Sequence, residues 1–148
     1  MRLYFAYGSN LNKAQMARRC PTARPYARAR LHGWAIEYRG VLTIVRRPGA
    51  VVEGALWLTT SEDERALDIY EGYPRLYGKR EIWVELVDAP VPQQAKAYVY
   101  IMNRGTPAPP SRQYLTICLE GARDWGIPEA ALLEPAIRAV AEAIGAAR

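Results

Sequence analysis

The hydrophobic and polar positions at the start of the chain predict a strand, a turn and a helix in immediate succession. Residues 3–6 are apolar or aromatic without a polar interruption, which is typical of a short buried strand. Residues 7–10, Tyr-Gly-Ser-Asn, break that pattern, and residues 11–20 carry helix formers. Asn10 or Asn12 can cap this helix, because an asparagine side chain accepts a hydrogen bond from a free amide of the first turn.

Alternating apolar and polar positions predict much of the sheet in the next part of the chain. Residues 27–45 are typical of two strands, with breaks expected near His32-Gly33 and near Arg39-Gly40. Residues 47–50, Arg-Pro-Gly-Ala, predict a turn, and residues 51–58 predict another strand. This part of the chain is therefore expected to supply three strands.

The second helix has a clear start signal and one residue that breaks a local rule. Ser61 and Glu64 match the Ser-x-x-Glu capping box, and Gly72 is a typical residue to follow a helix end. Glu71 then occupies the last helical position, where an exposed carboxylate facing the helix dipole is disfavoured by roughly 0.3–1 kcal/mol. Such conflicts concentrate at functional sites, which makes Glu71 a candidate. The alternative is an ion pair with a nearby cation: Arg75, Lys79 or Arg80.

The remaining elements are short and are separated by connections rich in glycine and proline. Residues 73–78 favour turns, residues 81–87 and 96–102 predict strands, and residues 103–110 form a stiff linker. A helix follows this linker, and a final helical region is expected to be interrupted or restarted at Pro135. The summed pattern predicts an α+β fold, with five or six short strands in a mostly antiparallel sheet that can curl into a barrel flanked by helices.

The composition is that of an ordinary soluble protein and argues against several classes. With 148 residues, the chain fits one domain, residues 1–148, that can bury its own core. No apolar run has membrane-spanning length and the sequence enters a strand at once, so neither a membrane segment nor a signal peptide is expected. Cys20 and Cys118 lack metal-site spacing and are expected to be free thiols in a reducing cytoplasm. A single histidine, His32, argues against a multi-histidine metal site and a serine triad.

The formal charge of +5 is unevenly distributed along the chain. Residues 1–52 contain ten lysines and arginines against one acidic residue, Glu37. Such a bias can attract nucleic acid or anionic small molecules. The basic residues are scattered over predicted helix, loop and strands and do not form a run, which favours a solvated arginine-rich surface.

The predicted strand-to-helix connection at residues 7–10 is a candidate binding site. A strand end, a glycine-containing turn and a helix start can direct several backbone N–H groups toward one small concavity. That geometry favours a carboxylate, a phosphate or a developing oxyanion, although an ordinary connection has the same sequence pattern. Gly8 is followed neither by Gly-Lys-Ser/Thr nor by further nearby glycines, so the segment is neither a P-loop nor a dinucleotide-binding fingerprint.

Three groups of segments resemble signatures of the γ-glutamylcyclotransferase family, in its broad superfamily with the plant AIG2-like proteins. Residues 4–11, Tyr-Phe-Ala-Tyr-Gly-Ser-Asn-Leu, are similar to the N-terminal signature. Residues 67–72, Leu-Asp-Ile-Tyr-Glu-Gly, resemble the segment that carries the catalytic glutamate. Residues 110–114, together with 121–122 and 126–128, resemble the C-terminal helical region. The matches occur in order over nearly the whole chain, which makes them more specific together than any one alone.

The resemblance implies a small mixed β-barrel flanked by helices and an enzyme that splits a γ-glutamyl compound into 5-oxoproline and a free amine or amino acid. In this intramolecular cyclisation, of lyase or acyltransferase type, the substrate α-amine attacks its own γ-carbonyl, while the enzyme supplies positioning and proton transfer. The residue-for-residue match makes Glu71 the general acid and base. The implied substrate-binding residues are Tyr7, Gly8, Ser9, Asn10, Leu11, Tyr77 and Tyr114. No cofactor or metal is implied, the partner is a small γ-glutamyl substrate, and a homodimer is a family-level expectation.

Two other interpretations remain open from the sequence. A non-catalytic module on the same scaffold would bind γ-glutamyl or other acidic ligands, although a glutamate at position 71 suits carboxylate binding poorly. A small basic nucleic-acid-binding protein would explain the arginine-rich first third, but no RNA- or DNA-binding motif is recognisable, so no nucleic-acid partner is expected. The leaving amine is also open, because loops around residues 39–47 and 103–110 would read it. Residues 7–10 can hold either the substrate α-carboxylate or the tetrahedral oxyanion.

Overall fold

Five strands close into a barrel at the centre of the molecule. The computed structural model describes residues 1–147. Its strands are β1 (Arg2–Ala6), β2 (Arg24–Arg39), β3 (Val41–Thr59), β4 (Tyr77–Leu86) and β5 (Gln94–Met102). They are hydrogen-bonded in the order β1-β3-β2-β4-β5, and the parallel pairing of β1 with β5 closes the ring. The other neighbouring pairs in this order are antiparallel, which confirms the predicted α+β fold with a mixed, mostly antiparallel barrel.

The helices lie outside the barrel. They are α1 (Lys13–Arg19), α2 (Ser61–Glu71), α3 (Arg112–Asp124) and α4 (Ala130–Ala146), and a short 3-10 turn at Ser9–Leu11 precedes α1. Helix α3 packs closely against the backbone after this turn, because a Cβ on Gly121 would lie only 2.6 Å from the Asn12 nitrogen. Within residues 1–147, no helix combines the length and the apolar character needed to cross a membrane.

The long β2–β3 hairpin contains a register shift at a point where the sequence predicted a strand break and a turn. The break predicted near His32-Gly33 and the turn predicted at residues 47–50 do not end strands. Instead they face each other, because His32 pairs with Val51 whereas Trp34 already pairs with Arg46. The extra residues of β3 are accommodated at this point, and the ladder continues on both sides of it.

Other strand boundaries differ from the prediction because long-range pairing extends the strands. The break expected near Gly40 is confirmed, because Gly40 forms the turn between β2 and β3. β2 begins earlier than predicted, since Arg24 already pairs with Leu58. β4 takes in the end of the segment expected to form turns, since Tyr77 pairs with Met102. In these places the partner strand decides the conformation, and local sequence preference does not.

Two helices differ from their predicted extents. α1 begins at Lys13, later than predicted, and Asn12 caps it by accepting the Gln15 N–H at 3.1 Å. The sequence could not choose between the two asparagines that flank the 3-10 turn. α4 continues through Pro135, where an interruption or restart was expected. Its residues on either side of the proline, Leu132 and Ala136, are both buried, so tertiary packing maintains the helix there.

The capping box of α2 lies one residue earlier than predicted. The Thr60 hydroxyl accepts the Asp63 N–H at 3.1 Å, and the Asp63 carboxylate accepts the Thr60 N–H at 2.9 Å. The predicted pair, Ser61 and Glu64, matches the same sequence pattern but does not form the cap. This shift leaves the Glu64 carboxylate available for contacts with the barrel.

Candidate active site

A cavity of about 280 Å³ opens where the connection after β1 meets the C-terminal end of α2. The hairpin turn between β2 and β3 and single residues of β4, β5 and α3 complete its wall. The lining residues are Tyr4, Tyr7, Gly8, Ser9, Asn10, Val41, Leu42, Tyr70, Glu71, Leu76, Tyr77, Tyr100 and Tyr114. The structure thus brings together around one space every predicted site residue except Leu11.

Leu11 lies in the core behind the cavity and does not line it. Its side chain is fully buried, and its carbonyl accepts the indole N–H of Trp125 at 2.8 Å. A Cβ on Gly121 would lie 2.8 Å from the Leu11 Cβ, so α3 packs directly onto this residue. Leu11 supports the wall from behind because it closes the 3-10 turn and faces α3.

Glu71 is the last residue of α2 and lines the cavity. Gly72 follows in the left-handed conformation, with a φ of +64°, and ends the helix there. Within the described residues, the Glu71 carboxylate has neither an ion-pair nor a hydrogen-bond partner. Lys79, one of the cations considered for it, instead binds Glu64 and Asp68. The structure therefore leaves the acidic group at the cavity unpaired.

Burial raises the pKa of the Glu71 carboxyl from 4.5 to about 7, and the nearby Arg19 guanidinium opposes this rise. A carboxyl group with such a pKa is present in both forms near neutral pH, so it can accept a proton and return it. Arg19, which the sequence did not single out, stacks 3.5 Å above the ring centroid of Tyr70. It also donates hydrogen bonds to the side-chain oxygens of Asn10 and Gln15.

The Asn10 side chain holds the connection after β1 in place. Its Oδ1 accepts from Arg19, its Nδ2 donates to the Tyr4 hydroxyl at 2.9 Å, and its carbonyl accepts the Trp57 indole N–H at 2.9 Å. By contrast, the backbone N–H groups of residues 8–10 have no acceptor within residues 1–147. These three amides are the free hydrogen-bond donors of this part of the wall.

The predicted cavity tyrosines differ in the hydrogen bonds that their hydroxyl groups make. Tyr7 donates to the Tyr100 carbonyl at 2.6 Å, and Tyr77 donates to the Leu42 carbonyl at 2.8 Å. Tyr114 accepts the Leu42 amide N–H at 3.1 Å, and its hydroxyl also interacts with the Cys118 thiol. Burial raises the pKa of all three phenols above the ordinary range, so they are neutral donors at physiological pH.

Tyr4 is a further cavity residue that sequence reasoning treated only as part of a buried strand. Its hydroxyl accepts from Asn10 and, among residues 1–147, donates to no group. Burial raises the pKa of Tyr4, and the Glu71 charge raises it further. Its place in the residue 4–11 signature was the available signal. The other lining residues not singled out from the sequence are Val41, Leu42, Tyr70, Leu76 and Tyr100.

A paired ionic cluster lies on the same helix, toward its N-terminus from the cavity. Lys79 is 2.7 Å from Glu64 and 2.8 Å from Asp68. Arg2 donates to both Glu64 oxygens at 2.8 Å, and the Tyr100 hydroxyl donates to Asp68 at 2.6 Å. These contacts attach α2 to β1, β4 and β5. Within the described residues, no group of three or more His, Cys, Asp or Glu side chains is arranged to hold a metal ion.

The chain is similar to known proteins over most of its length. Residues 4–121 match the family described as "Gamma-glutamyl cyclotransferase, AIG2-like". The Gamma-glutamylcyclotransferase of Homo sapiens is 31% identical over 141 residues, which cover 85% of this chain and 72% of that protein. The protein of the same name from Bos taurus is 30% identical over 139 residues, again covering 85% of this chain and 72% of its own length.

Solved structures share the same fold. One described as "Gamma-glutamyl cyclotransferase" has a TM-score of 0.80 at 28% identity and covers 90% of this chain and 85% of its own. YkqA from Bacillus subtilis has a TM-score of 0.73 at 20% identity and covers 90% of this chain and 52% of its own. The barrel with outer helices is therefore common to these proteins, and the predicted resemblance to the γ-glutamylcyclotransferase family is confirmed.

Proposed function

Because the chain belongs to the gamma-glutamyl cyclotransferase, AIG2-like family, we propose that it releases 5-oxoproline and a free amine or amino acid from a γ-glutamyl compound. The observation that carries this proposal is Glu71, an unpaired acidic side chain in a cavity, whose pKa burial raises to about 7. The substrate α-amine is protonated near neutral pH and attacks only as the free amine. A carboxylate that can take its proton is therefore the group this cyclisation needs.

In the proposed reaction the substrate is its own nucleophile. The Glu71 carboxylate takes a proton from the α-ammonium, and the nitrogen lone pair attacks the γ-carbonyl carbon to close a five-membered ring. The carbonyl oxygen becomes a tetrahedral oxyanion, and its collapse breaks the bond between the carbonyl carbon and the leaving nitrogen. Glu71 delivers protons to that nitrogen. The α-nitrogen loses two protons in all and the leaving nitrogen gains two, so Glu71 ends as it began.

The free donors of the wall are suited to hold an anionic oxygen of the substrate. The backbone amides of residues 8–10 have protons without an acceptor among the described residues, and the neutral Tyr114 hydroxyl lies beside Gly8. They are also close together, since a Cβ on Gly8 would lie 3.1 Å from the Tyr114 oxygen. We assign to this group the α-carboxylate or the oxyanion, because donors aimed at developing charge stabilise it most when they are fixed in advance. Tyr7 and Tyr77, whose protons are used internally, shape the wall with their rings.

Several arginines of the first third are engaged in internal ion pairs, which supports a small-molecule substrate over a nucleic acid. Arg28 and Arg30 bind Glu53 at 3.0 and 2.8 Å, and Arg39 binds Glu37 at 2.6 Å. Paired arginines offer less uncompensated charge to a phosphate backbone than free ones. The size of the cavity, about 280 Å³, suits a compact ligand such as a glutamyl group.

The proposal is tested by measuring 5-oxoproline released from a panel of γ-glutamyl amino acids and amines. Wild type is compared with Glu71→Gln and with the control Glu62→Gln, an exposed glutamate on α2 that does not line the cavity. We expect release by wild type and the control and its loss in Glu71→Gln. Equal release by all three would remove Glu71 from the reaction. If wild type binds γ-glutamyl ligands but releases no 5-oxoproline from them, a non-catalytic binding module would instead be favoured.

A further inference from the structure

Three exposed residues line the cavity, and two of them are aliphatic; the third is Tyr70, whose hydroxyl is hydrogen-bonded to Ser9. Val41 and Leu76, which we call the apolar rim, line the cavity and are 38% and 67% exposed. Among the described lining residues Glu71 is the only acidic side chain, and lysine and arginine are absent. Arg19, which stacks on Tyr70, already donates its guanidinium hydrogen bonds to other side chains. A charged group therefore finds no opposite charge on Val41 or Leu76, and a carboxylate finds none among all the described residues that line the cavity.

An exposed leucine is usually free to move, but the backbone of Leu76 is held by several hydrogen bonds. Its N–H donates to the Gly72 carbonyl at 2.8 Å, and its carbonyl accepts the Asn103 N–H at 3.0 Å. The Asn103 side chain also donates to the Pro74 and Arg75 carbonyls at 2.8 and 2.9 Å. The leucine side chain lies over Gly72, where a Cβ would come within 2.9 Å of the Leu76 Cδ1. Glycine at this position thus leaves room for the leucine beside the end of α2.

The other rim residue, Val41, is fixed by the same segment of chain. It follows Gly40 at the hairpin turn, where φ is +78°. The Gly40 N–H donates to the Ala108 carbonyl at 3.0 Å, and the Ala108 N–H donates to the Tyr38 carbonyl at 2.9 Å. The stiff segment 103–110 does not line the cavity, yet it fastens the two loops that carry the apolar rim. The backbone that carries the two apolar side chains is thereby held at the mouth.

We propose that the apolar rim binds the side chain of the leaving amine and selects substrates whose leaving group has an uncharged, apolar side chain. This inference rests on the proposed function, since it concerns the other half of the same substrate. An apolar side chain gains from releasing water at the rim, whereas a charged one loses hydration without gaining a partner. Such a leaving group has two sources, an apolar amino acid or an alkylamine.

The test compares kcat/KM for 5-oxoproline release from matched substrates. γ-Glutamyl-leucine and γ-glutamyl-isopentylamide present the same apolar side chain with and without a carboxylate, whereas γ-glutamyl-glutamate and γ-glutamyl-lysine present charges. We expect wild type to favour at least one apolar substrate by about tenfold or more over both charged ones. The better of the two apolar substrates identifies the source, and a preference for either supports the proposal.

Variants of Leu76 connect this preference to the rim. Leu76→Ala should lower kcat/KM for the apolar substrates about fivefold, mainly through KM, and should lower it less for γ-glutamyl-glycine, whose leaving group has no side chain to bind. Leu76→Lys should shift the ratio toward γ-glutamyl-glutamate by about tenfold, because it supplies the missing opposite charge. Ile69→Ala is the matched control, since Ile69 is an 83% exposed residue of α2 that does not line the cavity.

The outcomes separate this inference from the proposed function. Release of 5-oxoproline with equal kcat/KM for charged and apolar leaving groups would overturn the rim's selectivity and leave the proposed function standing. A preference that Leu76→Ala and Leu76→Lys leave unchanged would assign the selectivity to other residues and contradict the inference. Absence of release from every substrate would overturn both.

Discussion

The acidic side chains of α2 fall into two groups with opposite surroundings. Glu64 and Asp68 both lie within 2.8 Å of Lys79, and each has a further donor from the barrel. Glu71, at the end of the same helix, has no such partner among the described residues, and burial raises its pKa to about 7. The paired acids attach the helix to the barrel, whereas burial disfavours the charged form of the unpaired Glu71. One short helix is thereby anchored at one place and reactive at another.

Lys79, the cation of the paired group, shows how hydrogen-bond partners keep a partly buried group charged. Burial works against the charge of Lys79, but its hydrogen bonds to Asp68 and Glu64 raise its pKa, so the ammonium is retained. Glu71 is buried without such bonds, and its charged form is disfavoured. The presence or absence of a partner therefore decides whether a group stays charged or exchanges its proton near neutral pH.

Replacing one carboxylate of each group with its amide should give the largest difference in activity and stability between the two groups. We expect Glu71→Gln to lower kcat/KM by about 10²–10⁴-fold, the usual contribution of a proton-transfer group, without lowering the free energy of unfolding. Asp68→Asn should lower that free energy because it weakens the attachment of α2. It should retain much more activity than Glu71→Gln. The measurements are 5-oxoproline release and denaturant unfolding of both variants. Equal losses of activity and stability in the two would abolish the distinction.

Removing the shared cation should come next in size. Lys79→Met leaves Glu64 and Asp68 without their common partner, which we expect to lower the free energy of unfolding by about 2–3 kcal/mol. The side chains are partly solvated, so the loss should fall below that of a fully buried pair. Lys79→Arg keeps the charge and should recover most of the stability. Urea unfolding measures both variants, and an unchanged midpoint in Lys79→Met would show that the cluster is not what holds the helix.

The unpaired carboxylate should make wild type less stable as the pH rises. The folded-state pKa of Glu71 is about 7, above its ordinary value of 4.5, so stability is lost as the pH increases between these values. Glu71→Gln cannot ionise and lacks this loss. Allowing for partial contact with solvent, we expect the variant to gain about 1–2 kcal/mol over wild type at pH 8 and almost nothing at pH 4. Unfolding curves at the two pH values give the difference, and a variant less stable at pH 8 contradicts the sign.

Arg19 should have the smallest effect, as a shift in pH dependence. Its guanidinium lowers the pKa of Glu71, so Arg19→Met should raise that pKa and move the acid limb of the kcat profile to higher pH, by up to about one unit. Arg19→Lys retains the charge and should leave the limb near its original place. A loss of kcat at every pH, without displacement of the limb in Arg19→Met, would indicate that Arg19 acts only by holding Asn10.

The position of Glu71 at the end of α2 and the fold class could be predicted from the sequence because their signals are local. A carboxylate at the last position of a well-capped helix is visible in a few residues, and hydrophobic alternation identifies strands. The capping box failed by one residue because Thr60 with Asp63 and Ser61 with Glu64 fit the same pattern. Sequence spacing alone does not distinguish these two registers.

The rest of the site depends on contacts between distant parts of the chain. Tyr100 reaches the cavity because β4 and β5 pair and bring it beneath α2, and its hydroxyl then meets Asp68. Arg19 affects Glu71 only because α1 and α2 lie side by side. Leu11 shows the opposite error, since a residue of a matched motif faces the core. A motif identifies the segment, but the three-dimensional packing determines which of its side chains line the cavity.

The protonation of Glu71 can be followed directly by ¹³C NMR of its side-chain carboxyl carbon over the pH range, with Glu71→Gln used to assign the signal. If burial without a partner sets its proton affinity, the signal should titrate with a pKa of about 7. A Glu71 signal that titrates near 4.5, as an ordinary solvated glutamate does, would contradict its role as the proton carrier of the reaction.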